Sequence, residues 1–379
     1  MARDERGSRV KRIVDRWIGC PAVWLLGLAR RRRACPCEVQ RIGILMYGAI
    51  GDALLASSII HDLRERYATA HILAFVSGAN REALELVEGP DAYLVTPVGH
   101  PLRVIATLRK QKFDILIDVG QWPRISALLA ALANARFTVG FKTPGECRHW
   151  AFDAVTEHSA HRHEIENFRA LLGPLGIRSL GMPRFKSALL QSATQPGRDP
   201  YVVFHPWASG YRSHLREWPM ANWVRLASVV LSHGFGLLIT GGPHDLPRAE
   251  ALREAIAGGG QVDVLAGRAT LWATTQSLLN AAAVVSVNTG IMHIAALLDR
   301  PTIALHGPTN PRRWGPIGKS CTVIGPGPEC GCGYLNLGFE YPAHPPDCMG
   351  RISVEEVAHH LGRMLDWQHA KRSGSTRSA

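Results

Sequence analysis

Neither half of this 379-residue chain contains the G-x-G-x-x-G spacing of a dinucleotide-binding turn, which counts against a nicotinamide enzyme. It also has no two Asp residues spaced D-x-D, so there is no obvious acidic pair to hold a divalent cation, and no metal site is expected. A basic groove interleaved with aromatics is missing too, and nucleic acid is not an expected partner. The apolar run near the N-terminus, Ile18 to Ala29, is twelve residues long, short of the about 20 that a bilayer-spanning helix needs. That run lacks a small-residue cleavage site, and Arg30-Arg31-Arg32-Arg33 follows it directly, which opposes export.

Cysteine is present but poorly placed for a disulfide framework. Of the eight, Cys35 and Cys37 flank Pro36, Cys20 and Cys147 stand alone, and Cys321, Cys330, Cys332 and Cys348 crowd the C-terminal part. A chain of this length has enough core without covalent staples. Zinc, with His344 nearby, would have to accept the single spacer of Cys330-Gly331-Cys332, where structural sites usually have two to four residues. Loop thiols are the expectation, with zinc and a labile disulfide as alternatives.

Positive charge is unevenly spread. Of the net +12, residues 1–40 hold ten Lys/Arg against four Asp/Glu, so half of the excess lies in about a tenth of the chain. Within this arm Val10, Ile13, Val14, Trp17 and Ile18 recur at helical spacing, with Arg9, Lys11, Arg12 and Arg16 on other faces. The pattern fits a helix lying on an anionic membrane with Trp17 and Trp24 at headgroup depth. The alternative is an apolar patch that packs on the body. Because the first strand candidate begins at Ile42, removing residues 1–38 is expected to leave the fold intact.

From Arg41 onward, apolar runs alternate with helical stretches. Strands are expected at 42–47, 71–76, 91–95, 115–119 and 137–140, and helices near 53–67, 79–88, 101–111, 124–134 and 163–177. The pattern weakens over 179–200 and restarts with strands at 201–205, 236–240, 262–265, 283–287 and 302–305. The helices of this half are expected at 220–233, 246–257, 271–282 and 291–299. Such alternation with short links implies βαβ units and parallel sheets. The expected division is an arm at 1–40, a Rossmann-like domain at 41–180, a linker at 181–200 and a second Rossmann-like domain at 201–350. A C-terminal helix at 351–368 and a disordered tail at 369–379 follow.

Two strand-to-helix turns carry the polar groups: Gly48-Ala49-Ile50-Gly51-Asp52, and Asn288-Thr289-Gly290-Ile291-Met292-His293. Open α/β sheets place ligands at the carboxyl ends of their strands, and helix N-termini there suit phosphate. These turns, together with His205-Pro206-Trp207-Ala208-Ser209, Arg216-Glu217-Trp218-Pro219, Thr240-Gly241-Gly242-Pro243-His244-Asp245, Gly307-Pro308-Thr309 and Trp314-Gly315-Pro316, resemble glycosyltransferase family 9, the lipopolysaccharide heptosyltransferases. The matching segments run from residue 41 to about 365, in the family's order.

The resemblance implies an α/β GT-B fold, with an N-terminal acceptor domain and a C-terminal nucleotide-sugar domain facing a central cleft, and a last helix that crosses back. It implies inverting, metal-independent transfer of a sugar, heptose from ADP-heptose being favoured, to a lipid-linked saccharide such as the lipopolysaccharide core. No cofactor is expected beyond the donor. The expected location is cytoplasmic, on the inner face of the cytoplasmic membrane. A GT-B nucleotide-sugar epimerase and an inactive GT-B binding protein are the alternatives.

In this scheme Asp52 is the general base, its rival role being a favourable carboxylate in a helix's first turn. Gly48 and Gly51 shape that turn. Arg216 would hold the diphosphate, against the reading of a solvated surface residue. Thr289, Gly290 and His293 would line the second phosphate site, although a buried structural histidine is an open reading for His293. Asp245 would accept from donor hydroxyls or cap a helix, and Ser209 belongs to the donor side. Asn288 stands where the family frequently has Asp, keeping the hydrogen bonds and losing the charge. Trp207 stands where a small residue is common and would narrow the cleft or stack on a ring, whereas Trp218 is expected in the core.

Overall fold

The computed structural model describes residues 9–29, 31–191, 199–256, 261–331 and 333–367. The expected tail at 369–379, Cys332, residues 192–198 of the expected linker and the first eight residues of the arm lie outside these. The chain divides into two compact units that meet at Lys186 and Ser187.

The first unit is built on a six-stranded parallel sheet. Its strands are β1 (Arg41–Met46), β2 (His71–Val76), β3 (Ala92–Val95), β4 (Ile115–Asp118), β5 (Phe137–Lys142) and β6 (Ala154–Glu157), in spatial order β3-β2-β1-β4-β5-β6. Strands β1, β2 and β4 are nearly continuous apolar runs because helices cover both faces of the sheet. The helices are α1 (Arg9–Ala29), α2 (Ile50–Ala56), α3 (Ser58–Arg66), α4 (Arg81–Leu86), α5 (Pro101–Gln111), α6 (Arg124–Leu132) and α7 (Glu164–Ala170). The single helix expected at 53–67 is thus two, separated at Ser57, whose hydroxyl donates to Leu54 O at 2.7 Å. Residues 181–186 do not form a linker. The backbone N–H groups of Glu88 and Lys186 bond Arg184 O and Leu86 O, which ties this segment to the first unit.

The arm is a built part of this unit. Along one side of α1, Gly19, Val23 and Gly27 approach the body closely: a Cβ at Gly19 would lie 2.7 Å from Arg124 Cβ, and one at Gly27 would lie 2.8 Å from Trp150 Cβ. Val23 is wholly buried in the core with Leu129, Ala130 and Phe152. Asp15 accepts the Arg124 and Ile125 N–H groups at the start of α6, a helix cap supplied from another part of the chain. Arg33 donates through Nε and Nη2 to Asp153, a fully buried carboxylate. These anchors run against the expectation that removing residues 1–38 leaves the fold intact. The opposite face of α1 presents Val10, Val14, Trp17, Ile18, Trp24, Leu25 and Leu28 to solvent. No described helix is long and apolar enough to cross a membrane.

The second unit repeats the strand order. Its strands are β7 (Tyr201–His205), β8 (Gly236–Ile239), β9 (Val262–Val264), β10 (Ala283–Val287), β11 (Thr302–Leu305) and β12 (Cys321–Ile324), all parallel and arranged β12-β11-β10-β7-β8-β9. Its helices are α8 (Ser187–Gln191), α9 (Met220–Ser232), α10 (Leu246–Ala255), α11 (Leu271–Leu279), α12 (Gly290–Leu297), α13 (Pro311–Trp314) and α14 (Val354–Met364). Both units therefore have the Rossmann arrangement, with the direction of winding reversing between β1 and β4 and between β7 and β10.

The C-terminal helix α14 buries Val354, Val357 and Leu361 in the second unit's core beside Trp218 and Trp223, on the face left by α9 and β11. One expectation is corrected here. Cys330 and Cys348, expected as loop thiols, are disulfide-bonded. They lie in the loop-rich stretch after β12, which has few apolar residues of its own to hold it.

Candidate functional site

In the first unit the turn after β1 places Asp52 in the first turn of α2, half-buried at the strand ends. Its Oδ2 accepts the Ala49 N–H at 2.8 Å, closing the helix end. Gly48 is required by this packing, since a Cβ there would lie 2.6 Å from Asp52 Cβ and 2.8 Å from Oδ2. Gly51 is buried beneath the turn. The other carboxylate oxygen, Oδ1, accepts Gln121 Nε2 at 3.2 Å. Gln121 comes from the loop after β4, the neighbour of β1 across the reversal, so two chain segments converge where such sheets hold ligands.

In the second unit the corresponding ends of β7, β8, β10 and β11 carry His205, Thr240, Asn288, Thr289 and His306. His205 Nδ1 and Thr240 Oγ1 are 2.9 Å apart, and the Thr240 hydroxyl donates to Phe204 O at 3.1 Å. The ring nitrogen must therefore be the donor to the hydroxyl oxygen. His306 Nδ1 lies 3.4 Å from Asn288 Nδ2 and 3.2 Å from Thr309 Oγ1. Burial pushes both imidazoles down to about 4, so each is neutral near pH 7. Thr289 is extended and begins α12, with Gly290 as the first helical residue, and His293 is buried on that helix. The β10 turn thus joins Asn288 to His306, a histidine that sequence reasoning left unassigned although it precedes the Gly307-Pro308-Thr309 segment.

The remaining expected donor residues lie on other loops of this unit. Arg216 is half-buried and its Nη2 donates to Ser209 O at 2.5 Å, so these two residues are brought together. Beside them, Arg212 lies over the Tyr341 ring at 5.7 Å, and burial pushes the Tyr341 phenol up against the lowering effect of Arg216. Asp245 accepts the Gly242 N–H at 2.9 Å and lies 3.7 Å from Arg248, a local capping arrangement. Trp207 is buried, with the Arg248 guanidinium 5.2 Å from its ring centre. Trp218 is buried, and its indole N–H donates to Ile352 O at 3.0 Å.

Comparison with known proteins bears on the fold and the family. The chain is 33% identical over 219 residues to lipopolysaccharide heptosyltransferase 1 of Salmonella typhimurium, covering 55% of this chain and 66% of that protein. It is 32% identical over 130 residues to lipooligosaccharide heptosyltransferase 2 of Haemophilus influenzae, covering 34% and 37% respectively. The matched stretches thus span just under two thirds of the first relative and little more than a third of the second. The structure of E. coli ADP-heptose LPS heptosyltransferase II superimposes with a TM-score of 0.69 at 20% identity, over 87% of this chain and all of that one. The two Rossmann-like units are accordingly those of a GT-B fold. The sequence pattern of glycosyltransferase family 9 (heptosyltransferase) matches residues 102–332. Because that match runs through more than half of the chain and into both units, the chain belongs to glycosyltransferase family 9.

Proposed function

We propose that the protein is an inverting glycosyltransferase that moves heptose from ADP-heptose to a lipid-linked saccharide of the lipopolysaccharide core. Asp52 carries the reading. A carboxylate sits at the carboxyl end of β1, at the sheet's reversal point, in a chain of family 9. As the acceptor oxygen attacks the anomeric carbon, Asp52 takes the hydroxyl proton, the new C–O bond forms, and the bond to the diphosphate breaks with its electrons leaving on ADP. Arg216 and the N–H groups at the start of α12 would offset the charge that grows on the leaving oxygen. The names of the relatives, all heptosyltransferases, support heptose as the sugar. Asn288 keeps a hydrogen-bonding group where the family frequently has a charge. The outward apolar face of α1, on an arm that carries half of the chain's net positive charge, supports seating on the anionic inner surface of the cytoplasmic membrane.

The test is a transfer assay with ADP-heptose and a lipopolysaccharide-core acceptor. Asp52→Asn should lower turnover by at least about 100-fold, the usual worth of a general base, while ADP binds as before. Arg216→Ala should weaken ADP binding and leave adenosine binding unchanged, and transfer should survive excess EDTA. Turnover of the nucleotide sugar without any acceptor would replace this reading with that of an epimerase.

A further inference from the structure

The loop between β4 and α6 is held far more tightly than a surface connection requires. At its start Asp118 accepts the Gly120 N–H at 2.8 Å. Asp118 is itself paired with Arg148, and both side chains are completely buried. The Arg148 guanidinium also donates to Gly120 O and, at 3.0 Å, to Pro123 O. Gly120 makes this clamp possible, because a Cβ there would lie 2.7 Å from Ser126 Oγ and 2.9 Å from Asp118 Oδ1. Thr143 donates to Gln121 O, and Asp15 of α1 caps the end of the loop at Arg124 and Ile125. Three residues distant in sequence, Asp15, Thr143 and Arg148, together with the adjoining Asp118, therefore fix five residues, 119–123.

A buried ion pair adds little net stability, since desolvating both charges offsets their attraction. Its effect here is geometric. The clamped loop has one long amide side chain reaching across the sheet reversal, Gln121, and it ends on Asp52 Oδ1. With Ala49 N–H on Oδ2, the carboxylate is gripped from both sides and its plane is set. We infer that Gln121 is a positioning residue for Asp52, orienting the carboxylate toward the acceptor hydroxyl, and that the Asp118–Arg148 clamp exists to present it. This inference rests on the reading of Asp52 as the base.

A double-mutant cycle in the full-length protein separates the two claims. Gln121→Met keeps the side chain's length and removes the donor. It should lower kcat by about 10- to 100-fold, the scale of a lost hydrogen bond to a charged group, with ADP affinity and Tm unchanged. Gln121→Glu, which cannot donate when ionised, should lose at least as much. In the Asp52→Asn background, Gln121→Met should cost nothing further, since it acts only through that carboxylate. Wild-type kcat in both Gln121 variants, an equal loss in the Asp52→Asn background, or a loss confined to ADP affinity would each overturn the inference while leaving Asp52 as the base. High turnover in Asp52→Asn alone would overturn the base reading, and the positioning role with it.

Discussion

The outward face of α1 provides the most quantitative test of membrane seating. Trp17 is 76% exposed and Leu28 is 62% exposed, and they lie about three turns apart on the same side of the helix, opposite Gly19, Val23 and Gly27. Burying such a side chain completely is worth about 1.5–3 kcal/mol. About two thirds of each remains to be buried on a lipid surface, so each residue should contribute about 1–2 kcal/mol to membrane partition. The double variant Trp17→Ser/Leu28→Ser should then bind anionic vesicles between about 30-fold and several hundred-fold more weakly. Neither residue touches the core, so Tm should not move. Exposed Lys and Arg side chains of the arm should add about 1 kcal/mol each near such a surface at low ionic strength, and this share should fade as salt is raised. Co-sedimentation with anionic and neutral vesicles measures all of this. A double variant that sediments like wild type, or equal binding to both vesicle types, would refute the assignment of this face to the membrane.

Gly48→Ala drives a methyl into Asp52 and should cost about 1–3 kcal/mol of stability, the usual range for overpacking, together with most of the turnover; unchanged activity would mean the turn yields without moving the carboxylate. Acid should destabilise the fold through His205 and His306. Both are neutral in the folded protein, pushed down from 6.5 to about 4 by burial, while the unfolded chain protonates them near 6.5. Their stabilisation is therefore complete above pH 6.5 and is lost as pH falls toward 4, by about 3 kcal/mol for each histidine. Urea titrations at pH 7, 5.5 and 4.5 that gave one constant stability would exclude this coupling. Removing residues 1–38 takes Arg33 from the buried Asp153 and Val23 from the core, so calorimetry should show a loss of at least about 3 kcal/mol, the scale of an uncompensated buried charge.

The elements most legible in the sequence were those with a strong local signal. Strands β1, β2, β7, β10 and β11 are buried on both faces, so each is a largely apolar run bounded by turn residues. Strands β6 and β12 escaped because they are four-residue sheet edges, partly exposed, with no such run to mark them. The docking side of α1 was hidden for a different reason. Its closest apolar approach is made by two glycines and one valine, and a hydrophobic-periodicity reading follows the larger apolar residues, which here face outward. Cys330 and Cys348 were misread because spacing along the chain says nothing about which thiols a folded loop brings into a disulfide.

The two strand-to-helix turns, their glycines and the carboxylate at the head of α2 are local matters, and the sequence determined them by itself. A parallel strand ends, the chain must turn within a few residues, and only a residue without a side chain leaves room for Asp52. What stands opposite that carboxylate is decided elsewhere. Strands β1 and β4 are neighbours in the sheet although more than sixty residues of chain, including β2 and β3, separate them. Parallel pairing through crossovers is non-local, and no short-range pattern encodes which strand ends will share an edge. Tertiary structure alone put Gln121 on Asp52, closed the buried Asp118–Arg148 pair behind it, and brought Asp15 from the N-terminal helix to cap α6.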